Sequence, residues 1–184
     1  MTVGSGTNYG VLAAYLDRAG WALHNMASLP HVSVAGAIAT GTHGSGVGNQ
    51  VLSAAVVGLQ YVDAAGDIRE ARRGDPDFAG MPVGLGAFGI VTRVTLDIEP
   101  SYLVRQDVYA DLTWGRVLAD LDDIMSAAYS VSMFTSWLGD SVQHALVSVG
   151  SPGRMTPYQR SSSGRAWPPA RYGWPTPRRT TSRQ

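Results

Sequence analysis

The densest run of groups able to hold a ligand is Thr40-Gly41-Thr42-His43-Gly44-Ser45-Gly46. Small residues let backbone N–H groups approach an anion closely, and Thr and Ser hydroxyls add further donors. Such a segment serves either as a phosphate cradle or as a tight loop. A P-loop needs Gly-Lys followed by Ser or Thr, and the chain contains no lysine. A second run, Gly84-Leu85-Gly86-Ala87-Phe88-Gly89, has the glycine spacing of a dinucleotide fingerprint. That fingerprint requires a strand before it and a helix after it, with the helix N-terminus at the pyrophosphate. Here Ile90-Val91-Thr92-Arg93-Val94-Thr95 follows, which is strand material, so the fingerprint is rejected. Glycines that permit a tight turn before a buried strand, and glycines that approach a ligand, both stay open.

Other chemistries fail on composition and spacing. The chain has no cysteine, which removes disulfides, thiolate metal sites and cysteine nucleophiles. The histidines are His24, His31, His43 and His144. His24 and His31 have a helical spacing, but Pro30 interrupts any helix between them. No metal-ligand spacing occurs, and no metal is expected. Ser28 and Ser33 lack the G-x-S-x-G surroundings of a hydrolase nucleophile. Asp120, Asp122 and Asp123 fit the solvated face of an amphipathic helix.

These groups need elements to hold them. Thr2-Val3 reads as the end of a strand. Asn8 is an N-cap for a helix with Tyr9, Leu12, Ala13 and Leu16 on one face, and Gly20 closes it. Residues 34–49 are small and Gly-rich. Leu52 to Asp63 reads as a strand, Ala64 to Asp67 as a turn, and Ile68 to Ala71 as the hairpin partner. Asp75-Pro76-Asp77 starts a short helix that ends near Gly84. Ile90 to Ile98, β-branched and alternating, is a strand. Glu99-Pro100 marks a boundary, because the residue before proline is driven to an extended conformation. Beyond it Trp114, Val117, Leu118, Leu121, Ile124 and Met125 predict an amphipathic helix over about 114–127. Tyr129 to Trp137 and Val142 to Val149 read as strands.

A chain of 184 residues, 45% hydrophobic and 15% charged, can build a core in one domain or in one domain with part of another. No apolar run approaches the roughly 18–20 residues of a membrane span. Met1-Thr2-Val3-Gly4 lacks the basic-then-apolar plan of a secretory signal, so a cytoplasmic location is expected. The formal net charge of +0 hides an asymmetry. Residues 1–150 hold every acidic side chain and half of the arginines, whereas 151–184 hold the other half and no acid. From Ser151 onward Pro, Ser, Arg and Trp follow in mixed order, and a disordered basic tail is expected. A reading-frame change would produce such an onset, which sequencing the locus tests. Cationic and aromatic groups suit phosphates and bases, but a basic tail without a folded platform is a poor nucleic-acid site, and nucleic acid is not an expected partner.

The stretch His24-Asn25-Met26-Ala27-Ser28-Leu29-Pro30-His31-Val32-Ser33-Val34-Ala35-Gly36-Ala37-Ile38-Ala39-Thr40-Gly41-Thr42-His43-Gly44-Ser45-Gly46 resembles the FAD-binding signature of the alditol and xylitol oxidases. These are flavoproteins of the vanillyl-alcohol-oxidase type, with a PCMH-type FAD-binding domain, and are relatives of the sugar-lactone oxidases. The likeness continues through Gly84 to Thr92 and on to Tyr129 to Thr135, covering about residues 2–149. It implies an α+β fold: a partial PCMH-type FAD-binding domain with a mixed or antiparallel sheet and flanking helices, followed by the start of a substrate domain. The implied organisation is 1–100 for the second lobe of the FAD-binding domain, 101–150 for the beginning of the substrate domain and 151–184 for the tail.

The resemblance also implies a cofactor, a substrate and a site. FAD is the cofactor, and a small-molecule polyol is the partner, oxidised at a CH–OH group with oxygen as acceptor to give hydrogen peroxide. Ser33, Gly36, Thr40, Gly41, Thr42 and His43 are expected to contact FAD. Ser28 is expected at the isoalloxazine, near the substrate hydroxyls. Gly89, Ile90 and Val91, with Thr95 along the strand, are expected to border the adenine side through backbone groups. Measured against the family, Met1 falls after the lobe that carries the flavin-linking histidine, and divergence after Val149 precedes the polyol-binding charged residues. An incomplete piece with no catalytic residue and no turnover is therefore expected, and the alternative is a non-catalytic folded remnant or a protein that acts through its basic tail by interaction or nucleic-acid binding. His24 departs from the proline usual in the relatives.

Overall fold

The computed structural model describes residues 1–149 and the backbone of 178–183. The chain divides into two compact units, Met1–Gly44 with Gln50–Ser101, and Ser45–Asn49 with Tyr102–Gln184. The first unit holds β1 (Thr2–Gly4), α1 (Tyr9–Arg18), β2 (Trp21–Ala22), α2 (Val34–Ala39), β3 (Val56–Val62), β4 (Ile68–Arg72), β5 (Ile90–Leu96) and β6 (Glu99–Pro100). Four of these strands form an antiparallel sheet in the order β1-β5-β3-β4, and β2 pairs with β6. Leu59 stands opposite Ala71 on one side and Val94 on the other, so the three share one face of the sheet. That face packs with Tyr9, Leu12 and Leu16 of α1 and Val34 and Ile38 of α2 into one core.

The predicted α1 forms because its ends and its stripe agree. Asn8 Oδ1 accepts from Val11 N at 3.3 Å, and Gly20 takes φ +77 just past the C-cap. Burial of Tyr9 pushes its phenol up to about 12. No helix is read from the sequence over 34–39, yet α2 forms there. Gly36 and β-branched Val34 are weak helix formers, but Val34, Ala37 and Ile38 are buried, and packing outweighs propensity. β3 begins at Val56 rather than Leu52, because Leu52–Ala55 winds into a 3₁₀ turn that buries Leu52 and Ser53. The helix expected from Asp75 to Gly84 reduces to one 3₁₀ turn, Phe78–Gly80.

The second unit holds β7 (Leu103–Thr113), α3 (Trp114–Ala119), α4 (Leu121–Met125), β8 (Ser130–Phe134), β9 (Ser141–Val149) and β10 (Arg178–Arg183). Its sheet is antiparallel in the order β10-β7-β9-β8. Tyr109, Val117, Ile124, Val131, Val142 and Val147 form its core. The rings of Trp114 and Trp137 stack with centroids 5.2 Å apart. β7 is absent from the sequence reading because Arg105, Asp107 and Asp111 interrupt its apolar pattern. Asp107 is nevertheless only 1% exposed, with Arg105 at 3.0 Å. The single helix expected over 114–127 is broken at Asp120, whose φ of −127 and ψ of 28 leave the helical region. The disordered tail expected over 151–184 lies outside the described residues, save for the backbone of Arg178–Arg183. There the chain is a strand, paired with β7 from Arg178↔Val108 to Arg183↔Leu103. β-branched Thr180 and Thr181 favour strand, and an outer β7 edge offers unpaired backbone groups.

Candidate functional site

α2 runs between two turns that carry most of the predicted groups. At its N-terminus Ser33 Oγ accepts from Gly36 N at 3.2 Å. Val34 N donates to Thr7 O at 2.8 Å and Ala35 N to Ser5 O at 3.3 Å. At the other end Thr40 N donates to Gly36 O, Gly41 N to Ile38 O and Thr42 N to Ala37 O. Gly41 sits at φ +68, which lets the chain leave the helix without a side-chain clash. Thr40 Oγ1 donates to Gly36 O at 3.0 Å and lies 3.3 Å from Thr42 Oγ1. The sequence suggests that amides along this stretch face an anion. In the fold these amides of α2 and of the turn through Thr42 are engaged within the protein.

Free donors lie on the flanking loops instead. Among the described residues the N–H groups of Ala27, Ser28, Leu29, His43 and Gly44 enter no hydrogen bond. Ser28 and Leu29 are exposed at a loop tip. The first turn of α1 holds one side of that loop, with Gly10 N donating to Pro30 O at 2.7 Å and Tyr9 N to Val32 O at 3.1 Å. On the other side Asn25 Nδ2 donates to Gln50 O at 3.0 Å while its Oδ1 accepts from Met26 N at 2.9 Å. His43 is exposed, and its Nδ1 lies 2.9 Å from Gly44 O. A carbonyl can only accept, so Nδ1 carries the proton and Nε2 of the neutral ring is the acceptor. No acidic residue occurs anywhere from His24 to Gly46. Unpaired main-chain donors beside exposed hydroxyls, in a stretch of chain without a carboxylate of its own, are the donor set a diphosphate requires, so these residues fit the anionic part of FAD.

The glycine run 84–89 meets the C-terminal end of α2. Leu85 N donates to Ala39 O at 3.2 Å, and a cleft is lined by Ala35 and Ala39 together with Gly84, Gly86, Gly89 and Val91. Gly89 takes φ +126, and a Cβ there would overlap Val62 O. The protein's own backbone thus demands this glycine. β5 follows directly, with Ile90 73% exposed at its start and Val91 half-buried. Thr95 is not brought to this group. It lies five residues along β5 from Ile90, roughly 16 Å at the usual strand rise, with its Oγ1 2.9 Å from Thr2 Oγ1.

Asn25, Gln50 and Glu99, which no sequence motif marks as functional, line a cavity of about 180 Å³ with His24, Leu52 and Ile98. Glu99 Oε1 is buried without a hydrogen bond, and His24 Nδ1 lies 3.8 Å from it. Burial holds the Glu99 carboxyl above its ordinary range, and the charge of His24 opposes that shift. No local motif marks Asn25. The available signal was Gly44, a glycine whose absent side chain calls for a neighbour. Ser45 and Gly46, the remainder of the motif, belong to the second unit. There Asn49 Nδ2 donates to Ser45 O at 2.8 Å and to Tyr129 O at 3.2 Å. Ser45 Oγ meets Ser130 Oγ and accepts from Ser132 Oγ at 2.8 Å. Among the described residues no group of His, Asp and Glu is placed to hold a metal, and no helix is long and apolar enough to cross a membrane.

Comparison with known proteins gives relatives by sequence and by fold. A family described as FAD binding domain matches residues 1–72. The alditol oxidase of Streptomyces sp. strain IKD472 is 46% identical over 135 residues, which are 73% of this chain and 32% of that protein. The L-gulono-1,4-lactone dehydrogenase of Mycobacterium tuberculosis is 36% identical over 126 residues, 68% of this chain and 29% of that protein. The chain therefore spans about a third or less of the length of these relatives. A solved cholesterol oxidase from Brevibacterium sterolicum shares the fold with a TM-score of 0.68 at 20% identity, over 85% of this chain and 32% of that one. The fold is that of PCMH-type FAD-binding domains, a mixture of helices and antiparallel sheet. Residues 1–72 thus match the FAD binding domain family, and the chain is similar in sequence to an alditol oxidase and an L-gulono-1,4-lactone dehydrogenase and in fold to a cholesterol oxidase.

Proposed function

We propose that this chain supplies one wall of an FAD site in an alditol-type oxidoreductase whose substrate is a small polyol. The observation that carries the reading is the set of unengaged N–H groups at Ala27–Leu29 and His43–Gly44, in a stretch free of acidic residues. FAD, when bound, supplies acceptance of hydride from a polyol carbinol and reoxidation by oxygen to hydrogen peroxide. The chain's own contribution is binding and orientation. The amides of the His43–Gly44 turn donate to the diphosphate, while the Ser28 loop lies at the isoalloxazine, where the exposed Ser28 hydroxyl can donate to and accept from a polyol. His43 Nε2 adds an acceptor for a ribityl or substrate hydroxyl.

Ser33, Gly36, Thr40, Gly41 and Thr42 contribute differently. Hydrogen bonds within the protein consume the amides from Gly36 through Thr42 or shape the turn, so contact with FAD runs through hydroxyl and carbonyl oxygens and through close van der Waals approach. Gly89, Ile90 and Val91 offer backbone groups at the start of β5, and Thr95 lies farther along the same strand. Residues 1–100 act as the cofactor-binding lobe and 101–150 as the start of the substrate domain. The test is to titrate the purified chain of 184 residues with FAD and follow quenching of flavin fluorescence, then assay peroxide with xylitol. Saturable quenching is expected. Colourless protein that leaves flavin fluorescence unchanged overturns the reading.

A further inference from the structure

We infer that Asn25 is the positioning residue of this site, a side-chain clasp that ties the Ser28 loop to Gln50 O and packs it on Gly44. The inference rests on the FAD reading for its purpose, though not for its geometry. One carboxamide bonds within its own loop and across to Gln50, and packs against Gly44. Oδ1 accepts from Met26 N at 2.9 Å, on the approach to Ala27 and Ser28, and Nδ2 donates to Gln50 O at 3.0 Å. Gly44 lies against the same group: a Cβ there would overlap Asn25 Oδ1 and come within 3.1 Å of Met26 O. Gly44 takes no left-handed φ, so its lack of a side chain serves close approach to Asn25 rather than backbone conformation.

The far side of the loop is fixed separately by α1, through Pro30 O and Val32 O. Ala27, Ser28 and Leu29 therefore lie between two anchors, with amides that bond to nothing of the protein's own. Loose donors of this kind bind a ligand well only if they are held in place beforehand, since ordering them on binding weakens affinity. Aspartate cannot substitute. It retains the acceptor for Met26 N but has no donor for Gln50 O, and it sets a carboxylate beside that carbonyl and near the amides meant for an anion.

The experiment compares the full chain with Asn25→Asp and Asn25→Ala. FAD affinity and the visible absorption bands of bound flavin are read well below the melting temperature, and thermal melting is followed separately. If the held conformation falls to a tenth of its population, the apparent Kd for FAD rises about tenfold, with bound-flavin bands that lose their fine structure. Asn25→Asp, the gentler change, is the deciding variant where Asn25→Ala fails to fold. Wild-type affinity and band shape in a folded variant overturn the inference. Backbone ¹⁵N relaxation at Ser28 and His43 reads the clasp without cofactor: rigid in the parent chain and mobile in the variants is expected, and equal rigidity overturns it. A parent chain that takes up no FAD, yet shows this loss of rigidity, sinks the FAD reading and leaves the clasp standing.

Discussion

Gly44 and Gly89 stand in the two glycine-rich runs of the first unit, and each leaves room for something that is already part of the protein. At Gly89 the neighbour is main chain, Val62 O, and φ of +126 excludes a side chain on conformational grounds as well. At Gly44 the neighbour is mainly a side chain, Asn25, and the backbone is ordinary. A carbonyl in a β-strand cannot move without breaking its ladder, whereas a carboxamide can turn about its side-chain torsions. Glycine-rich segments that look interchangeable in sequence thus differ in how much they constrain. One is rigid by backbone necessity, the other by a removable clasp. In the second unit Gly46 combines both features: at φ +111, a Cβ there would overlap main-chain Tyr129 O as well as the Asn49 carboxamide.

The sharpest way to break this contrast is substitution at Gly89. Gly89→Ala is expected to lose about 3–4 kcal/mol of stability in urea unfolding, combining overlap with a backbone atom and an unfavourable φ. Truncating the Val62 side chain should not restore it, because the obstructing atom is main chain. Gly44→Ala is expected to cost less, about 1–2 kcal/mol from overpacking. Much of that loss should be recovered in the Gly44→Ala/Asn25→Ala pair, so a double-mutant cycle with no coupling would refute the clasp. Ser33→Ala removes the hydrogen bond to Gly36 N and should cost about 1 kcal/mol, the usual worth of an N-cap. A loss of FAD affinity beyond that small stability change would show that Ser33 Oγ reaches the cofactor too.

The smallest expected effect lies at Glu99. Its folded-state pKa is raised above the ordinary 4.5. The folded protein therefore binds the proton more tightly than the unfolded chain. The resulting stability is full below the unfolded value and is lost as pH rises through the folded one. Glu99→Gln should flatten stability across that window, as read by urea melts on both sides of it. An unchanged slope would mean that His24 compensates for the buried charge in full.

Much of the fold was legible because its signals are local. Asn8, the Tyr9-Leu12-Leu16 stripe and Gly20 specify α1 within a few turns of chain, and the alternation of Ile90 to Leu96 specifies β5. The hairpin of β3 and β4 follows from its turn residues. β7 was hidden because its buried Asp107 reads as a surface residue until Arg105 is seen beside it. α2 was hidden because burial, not propensity, stabilises it. The candidate site was legible as a region, from Ser28 to His43, through small residues, hydroxyls and the absence of acids. Which of its amides are free was not.

By itself the sequence determined the chemistry available: an acid-free, lysine-free stretch rich in hydroxyls and approachable backbone, with the kinship to FAD-binding oxidoreductases that this stretch carries. Tertiary structure decided which donors the protein consumes and which it leaves. Thr7 O and Ser5 O take the first amides of α2, while Asn25 and α1 hold the Ser28 loop with its amides unspent. Residue type sets how many donors and acceptors a segment has. Their pairing depends on contacts between positions far apart in the chain, and no local spacing encodes that.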